Sequence, residues 1–553
     1  MKNRPDALRS IAASQFDVCI IGAGATGSGC ALDSQLRGFR TVLVDAGDFS
    51  AATSSASTKL AHGGVRYLQQ AVAEFDFGQL KVVREALRER ILLLQNAPHL
   101  AHALEFVVPC FSRWDILYYG FGMKLYDWFA GGASLGKSRI LTKQETLRLV
   151  PSLDASGLVG GVSYYDGQFD DARFGVTLVK TFVEAGGDVA NYLKVIGFER
   201  GNTPKLAAAV VEDVFSRQKS IIRARAFVNA SGPFSDDIRL LANPRATKRL
   251  VRSKGAHILL PLERDSHALL IPKTEDGRVI FAIPWLGRLL VGTTDQEVSS
   301  AEETFVTRED AEYLLLHLNH YSSRTYKFED IVSGFAGIRP LVQQAGSRQT
   351  KKLAREHEVE VDDCSRLVSI LGGKWTTYRV MAEQTIDKVI GELGGPPRPS
   401  VSQHHPLAGA SKNPLEYWKT LVRDHGVSES TGRHLAEKFG TQSPLLLELA
   451  SQDPELKAPI VADSPAIRAE IVFCIRQEMA VTIEDILARR IGLQFFHWRL
   501  AIKAAPVVAS HLARELAWSD EKRDKAVQTY VAKIKSSLSS IGLLDRERLQ
   551  ESS

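Results

Sequence analysis

Three glycines near the start of the chain have the spacing with which a backbone turn binds a pyrophosphate. They stand in the motif Gly22-x-Gly24-x-x-Gly27, directly after a short apolar segment that begins at Phe16. In such a turn the first glycine permits the tight bend, the second lets the backbone approach the pyrophosphate, and the third lets the following helix pack closely on the strand. The N-terminus of that helix then faces the negative charge.

An acidic residue completes this motif. A second β segment, residues 41–45, ends at Asp45, and the helix predicted over 28–36 joins the two segments into a βαβ unit. A carboxylate at this position accepts hydrogen bonds from an adenosine ribose and repels a 2′-phosphate. NADP is therefore disfavoured, whereas FAD and NAD both stay open. A glycine-rich turn that binds nothing would not explain the flanking strands and the acid together.

The elements that must position this turn are spread along the chain. Two later β segments, 226–232 and 367–373, each end in glycine and are suited to supply further backbone contacts, so the nucleotide domain is expected to be discontinuous. The alternating strands of 249–295 predict a mixed-sheet substrate domain. A helical pattern covers 79–94. Residues 396–406, rich in proline and glycine, are typical of a linker. Beyond it the pattern predicts an α-helical C-terminal domain, in which a capping-box pattern at 482–485 precedes an apolar helical run over 486–491.

Length, charge and cysteine usage narrow the class of protein. A chain of 553 residues exceeds one core, so two or three domains are expected. Lys and Arg total 69 against 64 for Asp and Glu, a mild excess that favours an anionic substrate or surface and gives no reason to expect nucleic acid. The five cysteines are scattered without Cys-x-x-Cys spacing, so neither a metal site nor disulfides are expected, and a reducing cytosol fits.

No apolar run reaches the length of a membrane-spanning helix, and no apolar signal-peptide core precedes Phe16. We therefore expect the protein to stay in the compartment where it is made.

Five ordered blocks carry a family resemblance. Residues 53–68, Thr-Ser-Ser-Ala-Ser-Thr-Lys-Leu-Ala-His-Gly-Gly-Val-Arg-Tyr-Leu, resemble the flavin-covering segment of FAD-dependent glycerol-3-phosphate dehydrogenases. Blocks at 84–99, 164–173, 337–341 and 372–379 are similar to further family motifs. The resemblance runs from about residue 16 to about residue 490. It implies FAD rather than NAD, and oxidation of sn-glycerol 3-phosphate to dihydroxyacetone phosphate.

The resemblance also implies an α/β fold of the glucose-inhibited-division or amino-acid-oxidase type, with three parts. A Rossmann-like FAD-binding domain would comprise residues 16–115, about 155–240 and 330–395. The mixed-sheet substrate domain would comprise 241–329 with part of 110–155, and the α-helical C-terminal domain 405–553. The implied FAD-binding residues are Gly22, Gly24, Gly27, Asp45, Thr53, Ser54, Ser57, Thr58, Lys59, Leu60, His62, Gly63, Gly64, Ala230, Gly232, Gly373 and Lys374.

Oxidation of a secondary alcohol by a flavin needs a base for the hydroxyl proton, and a histidine suits this role because its pKa lies near the operating pH. His62 and His257 are the two candidates. His257, in a block that contributes to the substrate pocket in the family, is slightly favoured as the base. His62 is placed nearer the flavin.

A phosphate dianion needs several cationic donors, and the planar fork of arginine binds two of its oxygens at once. The candidates are Arg66, Arg339 and Arg355. By resemblance, Lys374 lies near the flavin or the substrate, where its charge would stabilise the reduced flavin. Tyr67, Thr376 and Thr377 are expected to complete the polar lining, and residues 293–295 either close the substrate domain or form a plain turn.

The family passes electrons to a membrane quinone from the bilayer surface, which implies a cytoplasmic protein peripheral to the inner face of the cell membrane. Two segments could touch a bilayer: the aromatic residues 114–129, and a stripe formed by Val527, Val531, Ile534 and Leu538. Because such stripes usually form core, we expect both to be buried.

Several alternatives stay open. An oxygen-reducing glycerol-3-phosphate oxidase differs only in its electron acceptor. An amino-acid oxidase of the same fold would need fewer cations, and a flavin-binding subunit without turnover would have lost site residues. The sequence leaves the oligomeric state undecided, with a homodimer among the states it allows.

Overall fold

Two β-sheets and a set of C-terminal helices build the molecule. The computed structural model describes residues 1–63, 77–262, 267–272, 274–301, 304–343, 357–462 and 464–544, with only the backbone of 77–81. The described strands are β1 Gln15–Ile21, β2 Thr41–Val44, β3 Leu60–Ala61, β4 Ala101–Cys110, β5 Arg139–Thr142, β6 Gly160–Phe169, β7 Asp188–Ala190, β8 Leu193–Arg200, β9 Leu206–Asp213, β10 Lys219–Asn229, β11 Leu250–Pro261, β12 Ala268–Ile271, β13 Ile280–Trp285, β14 Arg288–Gly292, β15 Gln296–Val298, β16 Ser333–Val342, β17 Glu358–Val361 and β18 Val368–Leu371.

The α-helices alternate with strands up to residue 393 and make up the regular structure of the C-terminal part that follows. They are α1 Arg4–Ala13, α2 Ala25–Leu36, α3 Phe77–Asn96, α4 Arg113–Ala130, α5 Lys143–Leu149, α6 Asp171–Glu184, α7 Ser235–Ala242, α8 Arg308–Asn319, α9 Tyr378–Leu393, α10 Tyr417–His425, α11 Glu429–Phe439, α12 Ser443–Gln452, α13 Arg468–Glu478, α14 Leu493–Phe496, α15 Trp498–Leu516 and α16 Asp520–Ser540. A π-helical turn, Asp485–Arg490, lies between α13 and α14.

The first sheet carries the nucleotide turn. Its strands β18, β10, β1, β2 and β7 run parallel in that order. Strand β17 pairs antiparallel with β18, and β9 and β8 extend the sheet from β10. Because β1, β10 and β18 are parallel neighbours, the two glycine-ended segments singled out in the sequence finish at the same sheet edge as the Gly22 turn.

The second sheet is mixed and follows the order β15-β11-β14-β13-β12-β4-β6-β3, with β16 also paired to β11 and β5 to β6. Only β12 and β4 run parallel among the described pairs of this sheet. The sheets, the dinucleotide-binding βαβ unit and the helical C-terminal part together confirm the predicted fold class.

The helices of the C-terminal part cover one face of the second sheet. A single apolar cluster joins Ile258 and Val291 of this sheet to Leu487, Trp498 and Val508 of the C-terminal helices. Sheet and helices therefore share one core. The first sheet has a separate apolar cluster on each face, and Cys19 and Cys30 are buried in these clusters, as expected for small packing residues.

The proline-rich segment 396–406 is fixed to the first sheet's helices instead of hanging free. Arg37 donates to the carbonyl of Arg398 at 3.0 Å, and the Ser400 hydroxyl donates to Asp33 at 2.5 Å. Asn96 donates to the carbonyl of Gln403 at 3.2 Å. These contacts tie the connection to both α2 and α3.

The two candidate membrane stripes differ. Ile534 and Leu538 of α16 are buried in the shared core, as expected. On α4, however, Trp114 is 78% exposed and Trp128 is 71% exposed, so the expected burial of this segment is wrong. Helix α4 buries its other face, which includes Met123 and Tyr126. None of the helices in the described ranges combines the length and apolar character required to cross a bilayer.

Candidate active site

The Gly22 turn has the backbone geometry of a pyrophosphate cradle. Gly22 has φ +105°, and a Cβ added at Gly27 would lie 1.7 Å from the Gly22 carbonyl oxygen. Helix α2 begins directly after the turn with Gly24 as its N-cap, which has no side chain to cap the first amides. A side chain at Gly22 or Gly27 would collide with backbone atoms, so this tight turn requires glycine at both positions. The first helix amide, that of Ala25, donates to the Ser54 hydroxyl at 2.9 Å. The tight turn into a helix N-terminus is the arrangement that suits a bound diphosphate.

Asp45 is built into the same turn. Its carboxylate accepts from the backbone N–H of Ala23 at 2.6 Å and of Gly47 at 2.8 Å. Desolvation at the end of β2 raises the pKa of Asp45 to about 6, against the effect of these two amides. The carboxylate therefore joins the first strand to the second at the place where a ribose is expected.

The segment 53–60 is anchored at three points. The Thr53 hydroxyl donates to the Ile338 carbonyl at 2.6 Å, which attaches the segment to β16 of the second sheet. The Trp375 indole donates to the Ser54 carbonyl at 2.8 Å. The backbone N–H of Ser57 donates to Asp171 at 2.9 Å. The segment thus bridges the two sheets.

The Lys59 side chain does not point into the space beside this segment. Its ammonium is fully buried and donates to Asp171 at 2.5 Å and to the Ser55 carbonyl at 2.7 Å. Rings of Trp285, Phe335 and Phe495 lie 4.6–5.0 Å from it. The Lys59 side chain therefore holds the segment in place. Only the backbone of Lys59 remains a candidate for the predicted contact with the cofactor.

His257 lies on β11 and faces this segment. Its Nε2 is 3.0 Å from the Thr58 hydroxyl, and its ring stacks on Phe335 with centroids 5.0 Å apart. Burial lowers the pKa of His257 well below its ordinary value, and the charges of Arg339 and Lys59 lower it further. The imidazole is neutral near pH 7, which is the state in which it accepts a proton.

Arg339 lies on the strand paired with β11. Its guanidinium donates to the Thr293 hydroxyl at 2.9 Å and to Asp295 at 3.4 Å. A Cβ on Gly255 would lie 2.3 Å from Arg339 Nη2, so the glycine makes room for this side chain. The turn at 293–295 therefore orients Arg339, a role beyond the plain turn or domain closure considered from the sequence.

Two comparisons of sequence place the chain among known proteins. A family model described as FAD dependent oxidoreductase matches residues 17–370, and one described as the C-terminal domain of alpha-glycerophosphate oxidase matches residues 400–523. Mitochondrial glycerol-3-phosphate dehydrogenase of Macaca fascicularis is 38% identical over 529 residues, covering 93% of this chain and 72% of that protein. The human protein is 37% identical over the same shares.

The chain belongs to the FAD-dependent glycerol-3-phosphate dehydrogenase family.

Solved structures agree with this membership. The glycerol-3-phosphate dehydrogenase of Bacillus halodurans, complexed with FAD, matches with a TM-score of 0.79 and 28% identity over 98% of each chain. The L-alpha-glycerophosphate oxidase of Mycoplasma pneumoniae shares the fold, with a TM-score of 0.53 and 15% identity over 68% of this chain and 95% of that one. FAD is the cofactor of this family, and the Gly22 turn with Asp45 fits it.

The remaining residues expected from the family resemblance lie around the same sheet edge or outside the described ranges. Gly232 and Gly373 follow β10 and β18 with φ of +56° and +96°. Ala230 donates its N–H to the Ile21 carbonyl at 2.9 Å, next to the Gly22 turn. Lys374 begins the turn after β18. The residues outside the described ranges are Gly64, Arg66, Tyr67 and Arg355.

Two of the expected residues, Gly63 and Thr377, have local roles as well. His62 and Gly63 directly follow β3, and the Gly63 N–H donates to Asp166 at 3.3 Å. The Thr377 hydroxyl donates to the Lys374 carbonyl at 3.3 Å, so it stabilises the turn that carries Lys374.

Sequence reasoning missed Asp171 and Asp48, the buried carboxylates that fix the cofactor-binding loops. Asp171 belongs to the family block at 164–173, which was the available signal. No local pattern marks Asp48, because its partners are distant along the chain: Asn191 is 143 residues away, and Arg489 and Arg490 are 441 and 442 residues away.

Proposed function

We propose that the protein oxidises sn-glycerol 3-phosphate to dihydroxyacetone phosphate. The observation that supports this most is that paired strands place His257 against Thr58, in the segment that resembles the family's flavin cover, with the Arg339 charge close enough to lower the pKa of His257. FAD, when bound, accepts the hydride from the alcohol carbon. The protein then has to take up the hydroxyl proton and to hold the phosphate.

His257 is the proposed base. Its Nε2 faces Thr58 and is the nitrogen placed to take the hydroxyl proton, in place of its hydrogen bond with the Thr58 hydroxyl. A low pKa keeps this nitrogen unprotonated near pH 7. His62 is the competing candidate because it lies in the same family segment, four residues beyond Thr58.

Arg339 is the proposed phosphate ligand. Its donors to Thr293 and Asp295 fix the guanidinium plane, which favours bidentate binding of two phosphate oxygens. Lys374 is proposed to add a second positive charge, and Arg66, Tyr67, Arg355 and Thr377 are proposed to complete the pocket.

The test is anaerobic bleaching of the flavin absorbance after addition of sn-glycerol 3-phosphate. We expect bleaching by this compound, and none by glycerol or by the enantiomer. Bleaching by glycine would favour an amino-acid oxidase, and a flavin that stays oxidised with every compound would reject turnover. His257→Asn and His62→Asn should be compared: the base variant is expected to slow flavin reduction by about 10²–10⁴-fold.

The proposed electron acceptor is a membrane quinone. An oxygen-reducing oxidase is the second candidate, since residues 400–523 match the C-terminal domain of alpha-glycerophosphate oxidase. Reoxidation of the substrate-reduced protein separates the two: rapid reoxidation by a short-chain quinone and slow reoxidation by oxygen would support the first.

Helix α4 is the proposed site of contact with the inner face of the cell membrane. Its exposed apolar side chains follow the helical repeat along one face: Trp114, Leu117, Tyr118, Phe121 and Trp128. Exposed contiguous apolar surface of this kind marks a contact site, and tryptophan and tyrosine favour the membrane interface. Arg113, which precedes Trp114 in the chain, is exposed and suits anionic lipid headgroups.

A further inference from the structure

The loop after Asp45 is held by a carboxylate that no step of the reaction uses. Asp48 is fully buried, and its carboxylate accepts from Arg489 at 2.6 Å and from Asn191 at 3.1 Å. Arg490 contributes both of its terminal nitrogens, one of them 3.0 Å from Oδ1. Burial opposes ionisation of Asp48, but Arg490 and Arg489 outweigh it and lower the pKa of Asp48 to about 2.

Both arginines belong to the C-terminal helical part, in the π-helical turn Asp485–Arg490. Arg489 also donates to Asp485 at 2.8 Å, and Arg490 donates to the Glu478 carbonyl at 2.9 Å. Two consecutive residues of a regular helix point about 100° apart, yet here both reach one carboxylate. The π-helical turn, a form often found at functional sites, is the local structure that accompanies this arrangement.

The same loop carries the ribose carboxylate of the FAD site. Gly47 donates its N–H to the Asp45 side chain, and its own carbonyl accepts from Tyr192 at 2.8 Å. Leu193 donates to the Asp45 carbonyl at 2.7 Å. The Tyr192 hydroxyl in turn donates to Asp485 at 2.5 Å. Asp45 is therefore three residues from Asp48, which the C-terminal helices hold in place. A second connection runs from the 45–47 backbone to residues 192–193, and from the Tyr192 hydroxyl to Asp485.

We infer that Arg489 and Arg490 are positioning residues for FAD: through Asp48 they hold the 45–50 loop, and with it Asp45, in the conformation that binds the adenosine ribose. The C-terminal helical part is thereby a component of the FAD site as well as a cover for the second sheet. This inference rests on FAD as the family's cofactor and not on the proposed substrate.

The test is the affinity of the apoprotein for FAD, measured by quenching of free FAD fluorescence. Arg490→Met is expected to raise the dissociation constant by about tenfold or more, equivalent to about 1.4 kcal/mol. Arg490→Lys keeps the charge but loses the two-pronged geometry, so an intermediate increase is expected. If the methionine variant does not fold, the FAD affinity of the lysine variant tests the inference.

Arg173→Met is the matched control. Arg173 of α6 forms an equally buried pair with Glu478 of α13, with both contacts at 2.6 Å, and also donates to the Lys438 carbonyl, so it joins the same two parts of the molecule through partners other than Asp48. It should lower the thermal unfolding temperature of the apoprotein but leave FAD affinity within about twofold. Wild-type affinity in both Arg490 variants, or an equal loss in the Arg173 variant, would overturn the inference.

Discussion

At the scale of single residues, the candidate active site depends on buried charges whose partners are also buried. Lys59 is the clearest case, since its ammonium is enclosed by Asp171 and three aromatic rings directly beside Thr58 and His257. Removing one partner of a buried pair leaves an uncompensated charge, which costs about 3–5 kcal/mol of unfolding free energy. Lys59 therefore affects both stability and the ionisation of His257.

Lys59→Met is expected to move the acidic limb of the pH profile of kcat/KM to higher pH. The neutral form of His257 is the active one, so activity is lost as the pH falls through its pKa. Burial is the largest cause of the low pKa of His257, and the charges of Arg339 and Lys59 lower it further. Without the Lys59 charge the pKa rises, and activity is lost at a higher pH than in the wild type.

Lys59→Arg is the control because it retains the charge. Its acidic limb should stay at the wild-type position even if its unfolding temperature falls. If Lys59→Met is less stable but its pH profile is unshifted, Lys59 has a structural role and does not affect the ionisation of His257.

At the scale of elements, α4 shows that a helix can be regular, well capped and still leave an apolar face uncovered. Its capping box, Ser112 with Asp115, and its buried Met123 and Tyr126 fix it to the second sheet. Trp114 and Trp128 remain on the opposite side in the part of the chain that the structure describes.

Replacing Trp114 and Phe121 together by serine is expected to reduce co-sedimentation of the protein with anionic phospholipid vesicles by about tenfold or more, since each removed ring takes away a large apolar contact area. Flavin bleaching by sn-glycerol 3-phosphate should be unchanged, because α4 contributes no residue to the proposed site.

Leu415→Ser provides the comparison, since Leu415 is 83% exposed on a different part of the surface. Vesicle binding should survive this change. If the α4 variant sediments as wild type does, the membrane contact lies elsewhere.

At the scale of the whole molecule, the second sheet and the C-terminal helices stabilise each other. Their apolar side chains form one cluster. The buried pairs Asp48–Arg490 and Arg173–Glu478 join the same helices to the first sheet's part of the molecule, at the loop after β2 and at α6. An isolated N-terminal part would expose the apolar face of the sheet, and the arginines and carboxylates at the boundary would lose their partners.

Residues 1–395 expressed alone are therefore expected to bind a hydrophobic dye and to retain little FAD, whereas co-expression with residues 400–553 should restore FAD binding. Size-exclusion chromatography with detection at a flavin wavelength makes the comparison. A monomeric N-terminal fragment that binds FAD with wild-type affinity would contradict both the shared core and the role assigned to Arg490.

The sequence alone determined the nucleotide turn, because the conformations of Gly22, Gly24 and Gly27 are local and their spacing encodes them. It likewise predicted the character of the segments it singled out, such as the helix over 79–94, which lies within α3, and the family blocks gave the fold class. Domain boundaries and individual site roles stay predictions.

Only the tertiary structure decided which side chains meet. Thr58 and His257 are 199 residues apart in sequence, and the Lys59 ammonium turns to Asp171 because long-range packing supplies a carboxylate there. The helical repeat of α4 identifies its apolar face but does not tell whether another element covers that face. Burial was therefore expected where the structure shows exposure. Local spacing fixes backbone conformation and periodicity, whereas the direction of a side chain and its partner depend on elements that are distant along the chain.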